Sequence, residues 1–281
     1  METPKISVIL TTYNTPEWLE KVLFGYHIQT LRSFEMIIAD DGSDERTSRL
    51  IARMKERVSY PITHVWQEDQ GFRKTCIMNQ AIVQSNAEYL VFSDGDCIPR
   101  EDFLFIHHQF RASGHFLSGG YHKLPLQLSQ HISKGDILTR RCFNLKWLKE
   151  HGLSNSFKNN KLSRSIWKAR LLNTFTPTKA TWNGHNASGW KKDLLEINGF
   201  DERMAYGGED RELGERLENL GIKGKQIRYS AISIHLEHNR GYINKKDLVK
   251  NKAIRSETFQ KRRTWTLYGI EKRVHPKYLH T

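Results

Sequence analysis

The chain has 281 residues, of which 38% are hydrophobic and 27% are charged, and its formal net charge is +13. This length is enough for one large domain or two small ones, with a buried core that needs no disulfide support. The composition excludes collagen-like, coiled-coil and low-complexity classes. No stretch of the sequence approaches the ~20 apolar residues that a membrane-spanning helix needs.

The N-terminal sequence and the cysteines favour a reducing compartment. A short polar lead runs from Met1 directly into a strand pattern at residues 6–10, which leaves no room for a signal peptide. The three cysteines, Cys76, Cys97 and Cys142, are an odd number and fit neither a disulfide framework nor a structural zinc site. We expect reduced, buried thiols in a cytoplasmic protein.

The positive charge is concentrated in two segments. Residues 139–182 contain ten Lys or Arg and one acidic residue, and residues 239–281 contain twelve and three, so the remaining chain has a net charge of −5. Both segments interleave aromatic residues with the cations. Such surfaces attract phosphate-rich partners, either an anionic membrane or a nucleic acid, although a basic stretch can also be a merely solvated face.

The first half of the chain alternates predicted strands and helices. Thr15 and Pro16 supply an N-cap and a first-turn proline for the first helix, and helices are also predicted after the second and third strands. The four predicted strands are at residues 6–10, 36–39, 62–66 and 89–92. This order predicts an α/β fold with a mostly parallel sheet flanked by helices.

Polar clusters follow three of these strands directly, at residues 11–14, 40–44 and 94–96. Ligands bind beyond the carboxyl ends of the strands in parallel sheets, so this edge is the predicted site. In the second half, Pro99 is expected to open a helix and residues 116–121 to form a strand.

Further elements are predicted towards the C-terminus. The basic segment at residues 139–182 is expected to be partly helical, without a strand. Short helices are predicted at residues 193–198 and 210–220, each ended by a glycine, and a strand at residues 231–234 leads into His235.

Asp94 and Asp96, separated by Gly95, form a DXD motif at the end of an apolar strand. Two carboxylates in this position can both reach a hard divalent cation or its water shell, as Mg²⁺ and Mn²⁺ prefer. The same three residues can also form an ordinary polar turn. The motif alone therefore leaves both interpretations open.

Five motifs in order resemble the family 2 glycosyltransferases of the GT-A fold. They are SVILTTYN from Ser7, DDGSD from Asp40, GFRKTCIMNQAI from Gly71, SDGDC from Ser93, and residues 183–221, which include NGHNASGW and GGEDRELGERLENLG. The last segment is similar to a catalytic module of galactosyltransferases and chondroitin-polymerase-like enzymes. The resemblance implies a GT-A domain at residues 1–240, with a nucleotide-sugar-binding half at 5–125, a basic helical insertion at 139–182, an acceptor and catalytic half at 183–240, and a basic C-terminal tail at 241–281.

The resemblance implies a site for a UDP-sugar donor. Uracil and ribose would lie between the end of the first strand and the DDGS loop, at Thr11, Tyr13, Asn14 and Asp41. Arg73 and Lys74 would pair with the diphosphate, and Asn79 would support the same pocket. For Arg73, a surface charge at the start of a helix is the open alternative.

The resemblance also implies a bound Mn²⁺ or Mg²⁺. Asp96 would bind the metal directly, while Asp94 would lie by the ribose or the water shell of the metal. In relatives a histidine from a late strand completes the site. Here His235 is favoured over His238 because it follows the strand directly.

Glu209 and Asp210 resemble the acidic pair of the family at the start of a helix beneath the acceptor. An inverting transfer needs one carboxylate as a general base for the acceptor hydroxyl, and Asp210 is the predicted base. Glu209 would orient the acceptor or cap the helix. Simple N-terminal capping, favourable with the helix dipole, is the alternative for both.

Together these observations predict inverting, metal-dependent transfer of a hexose or N-acetylhexosamine from a UDP-sugar to a glycan acceptor. The two basic segments favour a lipid-linked acceptor, as in lipopolysaccharide, capsule or O-antigen synthesis, and peripheral attachment to the inner face of a membrane. The alternatives are a nucleotidyltransferase or a basic nucleic-acid-binding protein without catalysis, although we expect no specific nucleic acid partner. Ala205 and Tyr206 stand where a tryptophan is common in galactosyltransferases, so the sugar stays open.

Overall fold

The computed structural model describes residues 3–238 and 244–272. The strands in these residues are β1 (Ile6–Thr12), β2 (Phe34–Asp40), β3 (Ile62–Trp66), β4 (Tyr89–Asp94), β5 (Cys97–Pro99), β6 (His115–Ser118), β7 (Gly120–Lys123), β8 (Ala187–Trp190), β9 (Lys223–Gln226) and β10 (Ile232–His235). The α-helices are α1 (Pro16–His27), α2 (Glu45–Lys55), α3 (Lys74–Gln84), α4 (Phe103–Phe110), α5 (Leu126–His131), α6 (Lys134–Leu138), α7 (Leu145–Glu150), α8 (Ile166–Phe175), α9 (Lys191–Glu196), α10 (Glu209–Asn219) and α11 (Lys245–Gln260).

Seven strands form the central sheet, in the order β3-β2-β1-β4-β8-β6-β9. The first four strands pair in parallel, β8 runs antiparallel to both of its neighbours, and β6 is parallel to β9. A second, small sheet has the order β5-β10-β7. This architecture confirms the predicted mostly parallel α/β fold.

Strand β1 has core on both of its faces. Val8 and Leu10 belong to a cluster with residues of α1 and α2, whereas Ile9 belongs to a second cluster with residues of α3. Strands buried on both faces are apolar without alternation, which is why residues 6–10 read as one continuous run. In register, Thr11 pairs with Asp94 and Thr12 with Asp40, so the polar clusters after β1, β2 and β4 lie at one edge of the sheet, as predicted.

The strand predictions in the second half were incomplete. Strands β8 and β9 were missed, because ASGW and KGKQ are short and lack an apolar alternation. The predicted strand at residues 116–121 is two strands that belong to different sheets. The helix expected from Pro99 begins only at Phe103, because residues 97–99 pair with β10 instead.

The basic insertion at residues 139–182 contains α7, α8 and two 3₁₀ turns, Arg141–Phe143 and Phe157–Leu162, and no strand within these described residues. Both sequence expectations for it are thus met. No helix in the described part of the chain is long and apolar enough to span a bilayer.

The C-terminal basic segment, predicted as a tail, packs on the rest of the protein in its described part. Helix α11 buries Asn251, Ile254 and Thr258, and it packs on α10. After the helix, Asn198 Nδ2 donates to Thr266 O at 2.8 Å. Within residues 244–272 this segment is therefore part of the domain, while residues 241–243 and 273–281 lie outside the described residues.

Candidate active site

The ends of β1 and β4 are joined by hydrogen bonds at the predicted edge. Thr11 Oγ1 donates to Asp94 Oδ1 at 2.7 Å, and the backbone N–H of Gly95 donates to Thr11 O at 2.7 Å. A Cβ atom at position 95 would lie only 2.9 Å from Thr11 O, so the middle residue of the DXD motif must be small. This turn fixes the position of Asp94 at the end of β4.

Lys74 is the central charge of the site. Its Nζ atom donates to Asp94 Oδ1 at 2.8 Å. Burial works against the ammonium, but the carboxylates of Asp94, Asp210 and Glu209 outweigh it and raise the pKa of Lys74. Burial likewise opposes the charge of Asp94, yet Lys74 and the Thr11 hydrogen bond lower the pKa of this carboxyl. Lysine and aspartate therefore each favour the charged form of the other.

Asp96 faces two imidazoles and a thiol. Its Oδ2 atom lies 2.8 Å from His238 Nε2 and 3.5 Å from His235 Nε2, and Cys97 Sγ donates to Oδ1 at 3.2 Å. Potential ligand atoms of Asp96, Cys97 and His235 all lie within 4.8 Å of one another. A carboxylate beside imidazole nitrogens is a donor set that suits Mn²⁺, and the carboxylates suit Mg²⁺. The residues present thus fit the implied divalent ion.

The structure brings both candidate histidines to this carboxylate. His235 is the last residue of β10 and pairs in register with Cys97. His238 lies three residues further along and makes the shorter contact with Asp96. The preference for His235 stays a prediction, because one carboxylate oxygen contacts both rings.

His185 is a site residue that the sequence analysis did not single out, although it lies within the quoted NGHN motif. Burial lowers its pKa to about 4, against the opposing attraction of Asp94, so its imidazole is neutral at physiological pH. Its ring packs edge-on to Tyr121 at 4.4 Å between centroids, and Tyr121 packs against His235 at 5.3 Å. A neutral imidazole here can hydrogen-bond to a ligand without adding charge.

The acidic pair begins α10 behind two glycines. Gly207 and Gly208 have φ values of +107° and +96°, a conformation that favours glycine. Glu209 Oε2 accepts a hydrogen bond from the Gly207 N–H at 2.7 Å, whereas the buried Oδ1 of Asp210 has no partner among the described residues. A Cβ atom on Gly184 would lie 2.7 Å from Asp210 Oδ2, so this neighbour must also be small.

Both acids hold their protons more tightly than usual. Burial, and then the neighbouring Asp210 charge, raise the pKa of Glu209 to about 7, although Lys74 opposes this. Burial also raises the pKa of Asp210, again against Lys74. Two neighbouring carboxyls that resist ionisation together are better proton acceptors than ordinary carboxylates.

The predicted nucleotide side of the site is organised by Asp41. Its Oδ1 accepts from Gln67 Nε2 at 2.5 Å and its Oδ2 accepts from the Arg73 N–H at 2.9 Å. Burial raises the pKa of Asp41, and these hydrogen bonds oppose the increase. Gln67 was not predicted, since it follows a strand without a recognisable motif. Tyr13 is half-exposed and donates to Asp69 Oδ2 at 2.9 Å.

Two residues predicted to bind the nucleotide-sugar donor make structural hydrogen bonds within the protein. Asn14, at φ +47°, accepts from the Asp44 N–H at 2.8 Å and so braces two loops. The Asn79 amide donates to Phe200 O at 2.9 Å and accepts from the Phe200 N–H at 2.7 Å. Asn79 therefore joins α3 to a distant loop, and its support of the donor pocket stays a prediction.

Arg73 lies at the start of α3, where it donates through its side chain to Gln70 Oε1 at 2.7 Å. This contact is exposed to solvent. The position is compatible with both interpretations given above, the surface charge and the phosphate ligand.

Two family models match the halves of the chain that build this site. The model for glycosyl transferase family 2 matches residues 7–107, and the model described as the N-terminal domain of galactosyltransferase matches residues 177–239. The first includes Asp41, Lys74 and Asp96, and the second includes Asp210 and His235. Over residues 7–107 the chain is thus similar to glycosyl transferase family 2. The resemblance seen in the sequence is thereby confirmed.

The curated relatives that this chain resembles are glycosyltransferases. It is 27% identical to validoxylamine A glucosyltransferase of Streptomyces hygroscopicus subsp. jinggangensis over 78% of this chain and 52% of the relative. It is 25% identical to chondroitin synthase of Escherichia coli over 92% and 38%, and 25% identical to the GalNAc(5)-diNAcBac-PP-undecaprenol beta-1,3-glucosyltransferase of Campylobacter jejuni over 73% and 57%. The chain thus spans about half the length of the relatives it matches.

Solved structures show the same fold. Staphylococcus aureus TarS in complex with UDP-GlcNAc superposes with a TM-score of 0.60 at 16% identity, over 90% of this chain and 65% of that one. The mannosyltransferase PcManGT from Pyrobaculum calidifontis, in complex with GDP-Man and Mn²⁺, gives 0.57 at 17% identity, over 86% and 59%. The chain therefore has the GT-A fold.

Proposed function

We propose that this protein transfers a hexose or N-acetylhexosamine from a UDP-sugar to a hydroxyl of a glycan acceptor, with inversion at the anomeric carbon. One observation carries the proposal. Lys74 Nζ donates to Asp94 Oδ1, and the charges of Asp210 and Glu209 also raise the pKa of this ammonium, so one cation links the DXD motif to the acidic pair. Sugar transfer needs the DXD motif beside the donor phosphate and the acidic pair beside the acceptor hydroxyl, so the motif and the pair must be close together.

The donor would lie along the carboxyl edge of β1 and β4. Asp41, held by Gln67 and the Arg73 N–H, presents a fixed acceptor for a base N–H, and Tyr13 offers an exposed ring beside it. The half-buried Arg73, at the start of α3, would supply its guanidinium to the diphosphate. TarS binds UDP-GlcNAc on the same fold, which supports a uridine nucleotide.

Asp96 would hold the divalent cation, together with His235 or His238, and Asp94 would act through its water shell. When bound, the ion neutralises the charge of the departing diphosphate. Lys74 adds a second positive charge whose position is set by Asp94. The Mn²⁺ in the PcManGT complex supports a metal requirement of this kind.

Asp210 would act as the general base. Its Oδ1 atom is buried without a hydrogen-bond partner among the described residues, while Glu209 Oε2 accepts from the Gly207 N–H. The base takes the proton of the acceptor hydroxyl as the hydroxyl oxygen bonds to the anomeric carbon, and UDP leaves from the opposite face. Neutral His185 can orient a hydroxyl nearby without competing for that proton.

A lipid-linked acceptor at the inner face of a membrane is part of the proposal. The undecaprenol-linked substrate in the name of the Campylobacter jejuni relative supports it, and so do the two segments of +9 charge. The proposed acceptors of the sugar are lipid-linked intermediates of lipopolysaccharide, capsule or O-antigen synthesis. Neither a nucleotidyltransferase nor a nucleic-acid-binding protein explains the acidic pair on α10.

Calorimetric titration with UDP tests the donor site. UDP should bind the wild-type protein with Mn²⁺ present, and the heat should be lost with a chelator and in Asp96→Ala. Asp193→Ala is the matched control. Asp193 is on α9, which follows the end of β8, and that end pairs with the start of β4 at the edge of the sheet opposite the proposed site. Absence of UDP binding, or equal binding by Asp96→Ala, would overturn the proposal.

A further inference from the structure

Helix α8 in the basic insertion exposes large apolar side chains. Ile166, Trp167, Leu171 and Phe175 are 81%, 79%, 58% and 75% exposed. Trp167, Leu171 and Phe175 are spaced by four residues, so they form one stripe along the helix. Single exposed apolar residues are ordinary, but a contiguous stripe of this kind marks an interaction surface.

The opposite side of α8 is already attached to the domain. Ala169 is buried, and the Asn173 side chain donates to Ser230 Oγ and accepts from the Tyr229 N–H, both at 2.9 Å. These contacts fix the helix on the loop that precedes β10. The apolar stripe therefore faces outward in a defined orientation, because the side of α8 that packs on the domain is the opposite one.

Cations surround the stripe. Lys168 and Arg170 are exposed on α8 itself, and Glu150 is the single acidic residue in residues 139–182. A groove of about 660 Å³ beside the helix is lined by Lys149, Phe157 and Lys168.

A second cationic feature lies at the N-terminal end of α8. Arg140, Arg141 and Arg164 line a pocket of about 300 Å³ together with Glu101, and Arg164 is two residues before Ile166. The Arg164 guanidinium donates to Glu101 Oε1 at 2.5 Å, and Arg141 pairs with Asp136. The side chains of Arg140, Arg141 and Arg164 are all more than half exposed, which leaves them in reach of phosphate oxygens.

We propose that α8 docks this protein on an anionic lipid bilayer, with Trp167, Leu171 and Phe175 entering the interfacial region and the surrounding Lys and Arg residues contacting lipid phosphates. The inference rests on the proposed membrane-linked acceptor and names the surface that reaches it. Apolar stripes flanked by cations bind membranes through both the buried apolar area and attraction to anionic headgroups.

The chemistry of the stripe favours a bilayer over the other occupants. Single-stranded nucleic acid stacks on aromatic rings, but Ile166 and Leu171 offer no ring to a base. A second copy of the chain, docked through the same face, would bring like charges together. An anionic bilayer satisfies the apolar side chains and the cations at once.

Sedimentation of the full chain with lipid vesicles tests the proposal. The wild-type protein should bind vesicles of phosphatidylglycerol and phosphatidylethanolamine, and bind neutral phosphatidylcholine vesicles more weakly. The double variant Trp167→Ser, Phe175→Ser should bind anionic vesicles at least roughly tenfold more weakly. Val249→Ser, Phe259→Ser on α11 is the matched control, since these residues are 72% and 74% exposed in the other basic segment and should not change binding.

Three results would overturn the docking surface. They are absence of vesicle binding by the wild-type protein, equal binding by the α8 variant, and an α8 variant that loses only self-association or binding to an RNA oligonucleotide. Quenching of tryptophan fluorescence by brominated lipid, lost in Trp167→Phe, would support it independently. UDP binding in solution should be unchanged in the α8 variants, so failure of the docking surface is distinguishable from failure of the donor site.

Discussion

Asp210 and Glu209 are adjacent in sequence but differ in how their oxygens are used. The Oε2 of Glu209 is engaged by the Gly207 N–H, whereas the Oδ1 of Asp210 is buried without a partner among the described residues. A buried acceptor without a hydrogen bond destabilises the fold, which is acceptable where a substrate hydroxyl supplies the missing donor. This contrast favours Asp210 as the base.

Asp210→Asn should lower the rate of sugar transfer by ~10² to 10⁴ while UDP affinity stays within about twofold, because the change removes the base and keeps the side-chain shape. Transfer kinetics and UDP calorimetry on the same preparation measure both quantities. Glu209→Gln is the control and should lose less activity. The assignment would be reversed if Glu209→Gln were the more damaging variant.

Glu209 gives a pH dependence of stability. Its pKa rises from 4.5 to about 7 on folding, so between these values the folded state binds a proton that the unfolded state has released. The stabilising contribution of the protonated Glu209 is therefore complete at low pH and is lost as the pH rises towards 7. At pH values above 7, Glu209→Gln should raise the free energy of unfolding by about 1–3 kcal/mol, because it removes the buried charge.

Urea unfolding of the wild-type protein and Glu209→Gln at pH 5 and pH 8 measures this effect. The difference between the two proteins should be larger at pH 8. A constant difference at both pH values would show that the carboxyl titrates normally in the folded protein.

At the scale of elements, α10 is held by a buried ion pair. The side chains of Glu212 and Arg216 are each 1% exposed, and Arg216 also donates to Ile197 O at 2.6 Å and Gly199 O at 2.7 Å. Thr258 of α11 donates to Glu212 Oε1 at 2.9 Å. The pair thus connects α10, the end of α9 and the C-terminal helix.

Arg216→Ala should lower the free energy of unfolding by about 3–5 kcal/mol, because Glu212 would be left as a buried charge without its partner. Arg211→Ala on the exposed side of the same helix should change it by less than about 0.5 kcal/mol. Urea unfolding compares the two variants. Equal effects would mean that water or a neighbour replaces the guanidinium.

At the scale of the whole molecule, the C-terminal helix supports the site from behind. Asn251 Nδ2 contacts three successive carbonyl oxygens, Ala205 O at 2.9 Å, Gly207 O at 3.1 Å and Tyr206 O at 3.3 Å. These carbonyls belong to the loop that leads into the acidic pair. The segment that carries much of the positive charge therefore also positions the proposed base.

Asn251→Ala should slow transfer about tenfold and lower the free energy of unfolding by about 1–3 kcal/mol, since the loop loses its anchor and its carbonyls lose a donor. UDP affinity should not change, because the donor residues lie on other elements. Lys252→Ala, at the adjacent exposed position, is the control for both readouts. Unchanged kinetics in Asn251→Ala would limit the helix to a structural role.

The parts of the fold that the sequence predicted are those with a local cause. Strands buried on both faces are continuous apolar runs, and polar residues at their ends mark the carboxyl edge of the sheet, so residues 11–14, 40–44 and 94–96 could be grouped before any contact was known. The polar strand β9 and the short strand β8 have no such pattern, since their positions are set by partners far away in the sequence.

The sequence by itself determined the α/β fold class, the family resemblance, and the residue types available for metal, nucleotide and proton transfer. Only the tertiary structure decided which of them meet. His238 contacts Asp96 across 142 residues, and Asn79 hydrogen-bonds to Phe200 across 121. Local periodicity encodes secondary structure, but such contacts depend on how the elements pack, which no stretch of sequence specifies alone.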